Sequence, residues 1–161
     1  MKKRDWIRMV SRIVFVIYML VLVYFLLLSD GFGRTVRRDE FQFNLTPFVE
    51  IIRFVTYREY LGFYNVMINL AGNVIAFIPF GALIRWVINK SVRWYHVMGY
   101  TFLFSLSVEL LQLVAKVGAF DVDDLILNTA GGLLGYFVYC MLRWIDRIYD
   151  VWKEKRRKKD A

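Results

Sequence analysis

Two residue types that build covalent and metal frameworks are almost absent from this 161-residue chain. It has one cysteine, Cys140, and one histidine, His96. A single cysteine excludes an internal disulfide framework, and one cysteine with one histidine leaves almost no basis for a zinc site. The sequence therefore predicts no cofactor, and any metal chemistry would have to use carboxylates, which suit a divalent cation such as magnesium or calcium.

Charge is also scarce over long stretches, and apolar residues make up 58% of the chain. That share is too high for a soluble core of this size. Four stretches approach the run of about 20 apolar residues that a bilayer core requires. They span residues 7–28, 63–88, 95–117 and 124–145. The sequence thus predicts an all-α, polytopic membrane bundle with four transmembrane helices.

The first of these stretches follows a basic start and could be read as a secretory signal peptide. Its apolar run from Ile13 to Leu28 is long for a signal, and residues 28–31 do not form a small-x-small cleavage site. We therefore expect an uncleaved anchor.

Basic residues predict which way the chain crosses the membrane. The N-terminus has five, the turn at residues 85–93 has three and the tail from Arg143 to Lys159 has eight, whereas residues 29–62 have five and the third connection has only Lys116. Because basic loops stay in the cytoplasm, both termini are predicted to be cytoplasmic. The net charge of +8 lies beside apolar segments. It therefore indicates lipid headgroups, not nucleic acid.

The connection at residues 29–62 should lie outside and contain a short helix. Thr46 can cap a helix and Pro47 suits its first position. The apolar and charged residues that follow are typical of an interfacial helix. The predicted organisation is a first helix at 1–28, this outer loop at 29–62, a core of three helices at 63–145 and a basic tail at 146–161.

Polar residues within the spans are predicted to gather near the outer surface. Asn65, Asn69 and Asn73 are spaced four apart and share a helix face. Glu109 and Gln112 fall at a similar depth in the third span, on a stripe with three further polar residues: Thr101, Ser105 and Lys116. The fourth span begins with three aspartates and continues to Asn128.

Two interpretations of this cluster stay open. A carboxylate in hydrocarbon costs about 2.5–3.5 kcal/mol, so Glu109 should face the bundle, with the asparagines and Gln112 as its expected partners. The cluster would then be either an outward-facing polar pocket or a set of polar cross-links between helices. The predicted pocket residues are Asn69, Asn73, Glu109, Gln112, Asp121, Asp124 and Asn128.

The aspartates at the start of the fourth span also have two possible roles. Asp121 can cap the fourth helix, with Asp124 in the acidic position of a capping box. A less favoured interpretation is a divalent-cation site formed by Glu109, Asp121 and Asp124.

Glycines and a proline shape the second and fourth spans. Gly131 and Gly135 have the spacing that permits close approach of two helices. Pro79 with Gly81 is expected to kink the second helix.

Four ordered motifs between Asn44 and Tyr136 resemble the VanZ-like family of bacterial membrane proteins. The motifs are NLTPF at 44–48, NLAGNVIAFIPFG at 69–81, SVELLQ at 107–112 and FDVDDLILNTAGGLLGY at 120–136. The resemblance implies a multi-pass protein of the bacterial cell membrane whose namesake is linked to teicoplanin resistance. One departure is Lys116, where the family leads us to expect an arginine, so a bidentate contact there is in doubt.

The resemblance implies a function in the cell envelope and in glycopeptide susceptibility, exerted through the outer pocket by an undefined mechanism. The partners would be the bilayer and a lipid-linked cell-wall component or a glycopeptide, and oligomerisation stays open. The alternatives are an intramembrane enzyme acting on a lipid-linked substrate, or a small transporter. Enzymatic activity is the less favoured reading, because no nucleophile is evident near the cluster.

Overall fold

The computed structural model describes residues 3–28, 41–88 and 92–159. Residues 29–31, which follow the first helix and where no signal-cleavage site is expected, and the basic residue Lys90 lie outside these ranges. The elements in chain order are α1 (Lys3–Leu28), β1 (Phe43–Asn44), α2 (Val49–Thr56), α3 (Arg58–Leu61), α4 (Phe63–Ile88), α5 (Trp94–Ala115), β2 (Phe120–Asp121) and α6 (Val122–Lys159).

Four of the helices are long and apolar enough to cross a membrane, namely α1, α4, α5 and α6. Their outer faces expose large apolar side chains, such as Leu20 and Ile75. Polar side chains are buried instead, including Thr101, Ser105 and Gln112 on α5. This inverted distribution is expected when hydrocarbon is the solvent. The predicted four-helix membrane architecture is confirmed.

Glycines allow α4 and α6 to pack closely. A Cβ atom added to Gly81 would lie 1.8 Å from the Gly132 carbonyl oxygen, and one added to Gly135 would lie 2.0 Å from the Ile78 carbonyl oxygen. Gly131 likewise faces the backbone of Val74. The close approach that the spacing of Gly131 and Gly135 predicts is therefore made between α6 and α4.

Helix α1 covers the other side of α4. Leu22 and Leu26 pack with Phe77 of α4 and Val108 of α5 in one apolar cluster. The Tyr18 hydroxyl donates a 2.7 Å hydrogen bond to the carbonyl of Ala76, within α4 and close to Pro79. Helix α4 runs continuously through that proline, and α1 thus supplies a polar contact beside it.

The loop before α4 folds back onto the link between α5 and α6. Strands β1 and β2 pair in parallel, with Phe43 opposite Phe120 and Asn44 opposite Asp121. The sequence analysis did not predict this short pairing. It attaches the loop to the end of the helical bundle at which α4 begins, α5 ends and α6 begins.

The expected start of the loop helix is wrong. Helix α2 begins at Val49, with Phe48 at the N-cap in a left-handed conformation (φ 68°) and without a capping side chain of its own. Thr46 and Pro47 precede this N-cap and occupy neither the cap nor the first helical position. The sequence pattern around Thr46 predicted the wrong start because the side chain that caps α2 comes from α6, as described below. A one-turn helix, α3, was also not predicted.

Helix α6 is longer than the span predicted from hydropathy. It continues to Lys159, through the segment that the sequence analysis described as a basic tail. At 38 residues it extends about 57 Å, well beyond a bilayer core of about 30 Å.

Candidate functional site

Asp123 is the centre of a hydrogen-bond network at the end of the bundle where α6 begins. Its side chain is 1% exposed. The backbone N–H groups of Phe48, Glu50 and Ile51 all donate to its carboxylate, the last two at 2.8 and 3.1 Å. These are the donors that a helix start leaves without intrahelical partners. Asp123 therefore caps α2 from a distance of more than 70 residues in the chain.

Asp121 connects three elements. Its carboxylate accepts the N–H of Asp123 at 2.8 Å, as expected for the N-cap of α6, and the side-chain amide of Asn44 at 3.1 Å. Its own backbone N–H donates to the Glu109 carboxylate at 3.0 Å. Glu109 is 1% exposed. The predicted inward orientation of Glu109 and capping by Asp121 both agree with this arrangement.

The buried amides of α4, α5 and α6 cross-link the helices. Asn73 donates to Asp124. Gln112 donates to the Leu26 carbonyl of α1 at 2.7 Å, and Asn128 donates to the Ser105 hydroxyl at 2.8 Å. Nearer the start of α4, the Asn69 amide donates to the carbonyl of Asn65 within its own helix. The amides that were expected to surround Glu109 thus bind these other groups.

A cavity of about 580 Å³ lies beside this network, and we call it the polar pocket. That volume is within the range of small-molecule sites. Its walls come from β1, α2, α4, α5, β2 and α6. The lining residues are Gln42, Phe43, Asn44, Glu50, Ile51, Arg53, Phe54, Asn69, Leu70, Gln112, Ala119, Asp121, Asp123, Asp124 and Leu127.

Four of these lining residues are carboxylates and one, Arg53, is a guanidinium. Arg53 forms a 2.6 Å salt bridge with Glu50. Burial raises the pKa of Glu50, and nearby Asp121 and Asp123 raise it further, although Arg53 acts in the opposite direction. Burial also raises the pKa of Asp121, against hydrogen bonds that lower it. The described wall is therefore acidic and favours hydrogen-bond donors or positive charge.

The seven predicted pocket residues divide into two groups. Four line the polar pocket: Asn69, Gln112, Asp121 and Asp124. The other three, Asn73, Glu109 and Asn128, do not line it, and the first two hold groups that do. No three His, Cys, Asp or Glu side chains within residues 3–28, 41–88 and 92–159 are arranged to hold a metal ion, a set that includes Glu109, Asp121 and Asp124.

Several pocket residues escaped the sequence analysis. Asn44, Glu50 and Arg53 come from the loop and α2, and only the position of Asn44 in the first motif gave any signal. The unusual Lys116 is the left-handed C-cap of α5 (φ 56°), and its ammonium lies 5.1 Å from the Phe41 ring.

An apolar cavity of about 280 Å³ lies between α1 and α4, and we call it the apolar groove. Its lining includes Leu26 and Asn73. Leu26 accepts the hydrogen bond from Gln112, and Asn73 donates to Asp124. Because Gln112 and Asp124 line the polar pocket, these two hydrogen bonds link the wall of one cavity to the wall of the other.

Comparisons with known proteins show the family of the chain. No solved structure matches the chain. The chain is 30% identical to Protein VanZ of Enterococcus faecium over 134 residues. The matched region covers 82% of this chain and 74% of that protein. The sequence profile of the family described as VanZ/LLP1 matches residues 15–143, from α1 into the second half of α6. The chain therefore belongs to the VanZ/LLP1 family.

Proposed function

We propose that this protein binds a lipid-linked component of the bacterial cell envelope in the polar pocket, and that this binding changes susceptibility to teicoplanin-type glycopeptides. The observation that carries the proposal is that two hydrogen bonds link the walls of a polar pocket of about 580 Å³ and an apolar groove of about 280 Å³. A lipid-linked molecule likewise has a polar head and a hydrocarbon chain. The link to glycopeptides comes from the family.

The two cavities suit the two ends of such a ligand. Carboxylate and amide oxygens in the polar pocket would accept hydrogen bonds from hydroxyl, amide or ammonium groups of the head. The groove between Tyr18, Phe25 and Pro79 would hold hydrocarbon. The distribution of basic residues predicts that the polar pocket faces outward, where envelope components and glycopeptides meet.

Binding accounts for the acidic residues better than catalysis does. Asp123 accepts three backbone N–H groups, and Glu109 accepts one while almost fully buried. Carboxylates held in this way maintain the pocket wall and are poorly placed to exchange protons with a substrate. The enzyme and transporter alternatives have no comparable observation in their favour.

A pair of alanine-to-phenylalanine variants tests the proposal in cells. Ala119 lines the polar pocket, whereas Ala130 lies on an exposed face of α6. Ala119→Phe should fill part of the cavity, and Ala130→Phe should only enlarge a surface that contacts lipid. The measurement is the teicoplanin concentration that inhibits growth of a susceptible bacterium expressing each variant at equal membrane level.

The expected result is a change in susceptibility with the wild type and with Ala130→Phe that Ala119→Phe loses. Equal effects of all three proteins would show that the polar pocket is not required. If none of them alters susceptibility, the glycopeptide part of the proposal fails for this protein.

A further inference from the structure

A third cavity lies at the opposite end of the bundle from the polar pocket and has the opposite charge. It measures about 290 Å³ and is lined by Arg85, Tyr139, Cys140, Arg143, Trp144 and Arg147. We call it the arginine pocket. One arginine comes from the last turn of α4, and the other two are four residues apart on α6, so they share a face.

The depth of the arginine pocket matches a headgroup layer. Along α4, Arg85 follows Asn69 by 16 residues, or about 24 Å. Along α6, Arg143 follows Asp124 by 19 residues, or about 29 Å. A bilayer core is about 30 Å thick. With the polar pocket at one surface of the membrane, the arginine pocket thus lies among the phosphates of the other.

Aromatic rings hold Arg85 in place. Its guanidinium carbon lies 4.8 Å from the centre of the Tyr139 ring and 5.9 Å from that of Tyr136. The Tyr139 ring in turn packs edge-on against Trp86 at 6.2 Å. Stacking leaves the edge of the planar guanidinium available for hydrogen bonding.

Internal ion pairs do not neutralise this charge in the part of the chain that the structure describes. The salt bridges there join Arg53 to Glu50 and Lys158 to Glu154, and neither involves an arginine of this pocket. Arg143 and Arg147 are exposed. Three guanidinium groups around one cavity create a positive potential that favours an anion between them.

We propose that the arginine pocket binds the phosphate-bearing headgroup of an anionic phospholipid. Guanidinium groups form paired hydrogen bonds with phosphate oxygens, and basic pockets between membrane helices suit anionic headgroups. Trp144 is suited to the interface beside such a headgroup. The site is separate from the polar pocket and does not depend on the function proposed for that pocket.

Lipid titrations of the purified protein test this site. Melting temperature would be measured in neutral detergent with added dioctanoyl-phosphatidylglycerol, with dioctanoyl-phosphatidylcholine, and with inorganic phosphate. The test variant is Arg143→Gln with Arg147→Gln. The control is Lys153→Gln with Arg157→Gln, which removes the same charge from the exposed end of α6. A third variant, Arg143→Lys with Arg147→Lys, keeps the charge but not the paired donors.

We expect phosphatidylglycerol alone to stabilise the wild type and the control. The glutamine pair should weaken its apparent affinity about tenfold or more, with the lysine pair in between. Equal stabilisation by the two lipids, or an equal response of the glutamine pair and the control, would overturn the proposal. Stabilisation by inorganic phosphate to the same extent would assign the pocket to a free anion and overturn a lipid site.

Discussion

At the scale of single residues, the position of Asp123 best shows what the sequence could and could not reveal. The sequence indicates that an aspartate triplet begins α6, and helix-capping rules correctly assign Asp121 to the N-cap. Those rules, however, consider only residues that are close together in the sequence. They could not show that Asp123 caps a helix in the preceding loop, because that contact depends on the pairing of β1 with β2. Thr46 and Pro47 are the residues misassigned as a result.

Replacing Asp123 with asparagine should release α2. An amide has one acceptor oxygen and would turn a donor toward backbone N–H groups, so we expect a loss of about 2–3 kcal/mol. Hydrogen exchange should show faster exchange of the Phe48, Glu50 and Ile51 amides, with α4 unchanged. Asp150→Asn, at an exposed position of α6, is the matched control. Unchanged protection in Asp123→Asn would contradict the assigned cap.

Glu50 should make the protein's stability depend on pH in a particular direction. Its pKa is raised in the folded protein, so it holds a proton more tightly there than in the unfolded chain. Its contribution to stability is fully present below its ordinary pKa of 4.5 and is lost as the pH rises through the higher folded value. Glu50→Gln should therefore raise the melting temperature at pH 7 and lose this advantage near pH 4. An equal effect at both pH values would count against a raised pKa.

At the scale of secondary-structure elements, the long apolar runs made the four spans predictable, because a bilayer core sets their length. The glycines of α6 also predicted close packing, since their spacing is a local pattern. The helix surface against which these glycines pack was not predictable in the same way. Gly81 was expected to act with Pro79 in a kink, whereas it lies against Gly132. Which faces meet depends on the whole bundle.

Gly81→Ala should therefore be strongly destabilising. Its new methyl group would overlap the backbone of Gly132, and overpacking of this kind costs about 1–3 kcal/mol or more. Gly72 lies on the same helix with no atom within 4 Å of an added Cβ, so Gly72→Ala should be neutral or slightly stabilising. Melting temperatures in detergent compare the two, and similar values would contradict the packing of α4 on α6.

At the scale of the whole molecule, the motifs that identify the family converge on one end of the bundle. Asn44 of the first motif binds Asp121 of the fourth, Asn73 of the second binds Asp124, and Glu109 of the third binds the Asp121 backbone. The sequence predicted that most of these groups lie at one depth. It could not predict the cavity, because α2 and β1 form part of its wall.

The orientation of the whole molecule is a separate prediction. Sixteen basic residues in the termini and the turn at residues 85–93 favour a cytoplasmic location for both ends. Alkaline phosphatase, which is active only outside the cytoplasm, should be inactive when fused after Lys159 and active when fused after Gly118. The opposite pattern would place the polar pocket on the cytoplasmic face.

Ligand binding by the purified protein tests the central claim most directly. Melting temperature would be measured with a lipid-linked cell-wall precursor, with teicoplanin, and with magnesium or calcium, for the wild type, Asn69→Ala, Ala119→Phe and Ala130→Phe. We predict that the lipid-linked precursor stabilises the wild type and Ala130→Phe, and that both pocket variants lose most of this effect. No stabilisation by the precursor, or equal stabilisation of Ala119→Phe and Ala130→Phe, would contradict binding in the polar pocket.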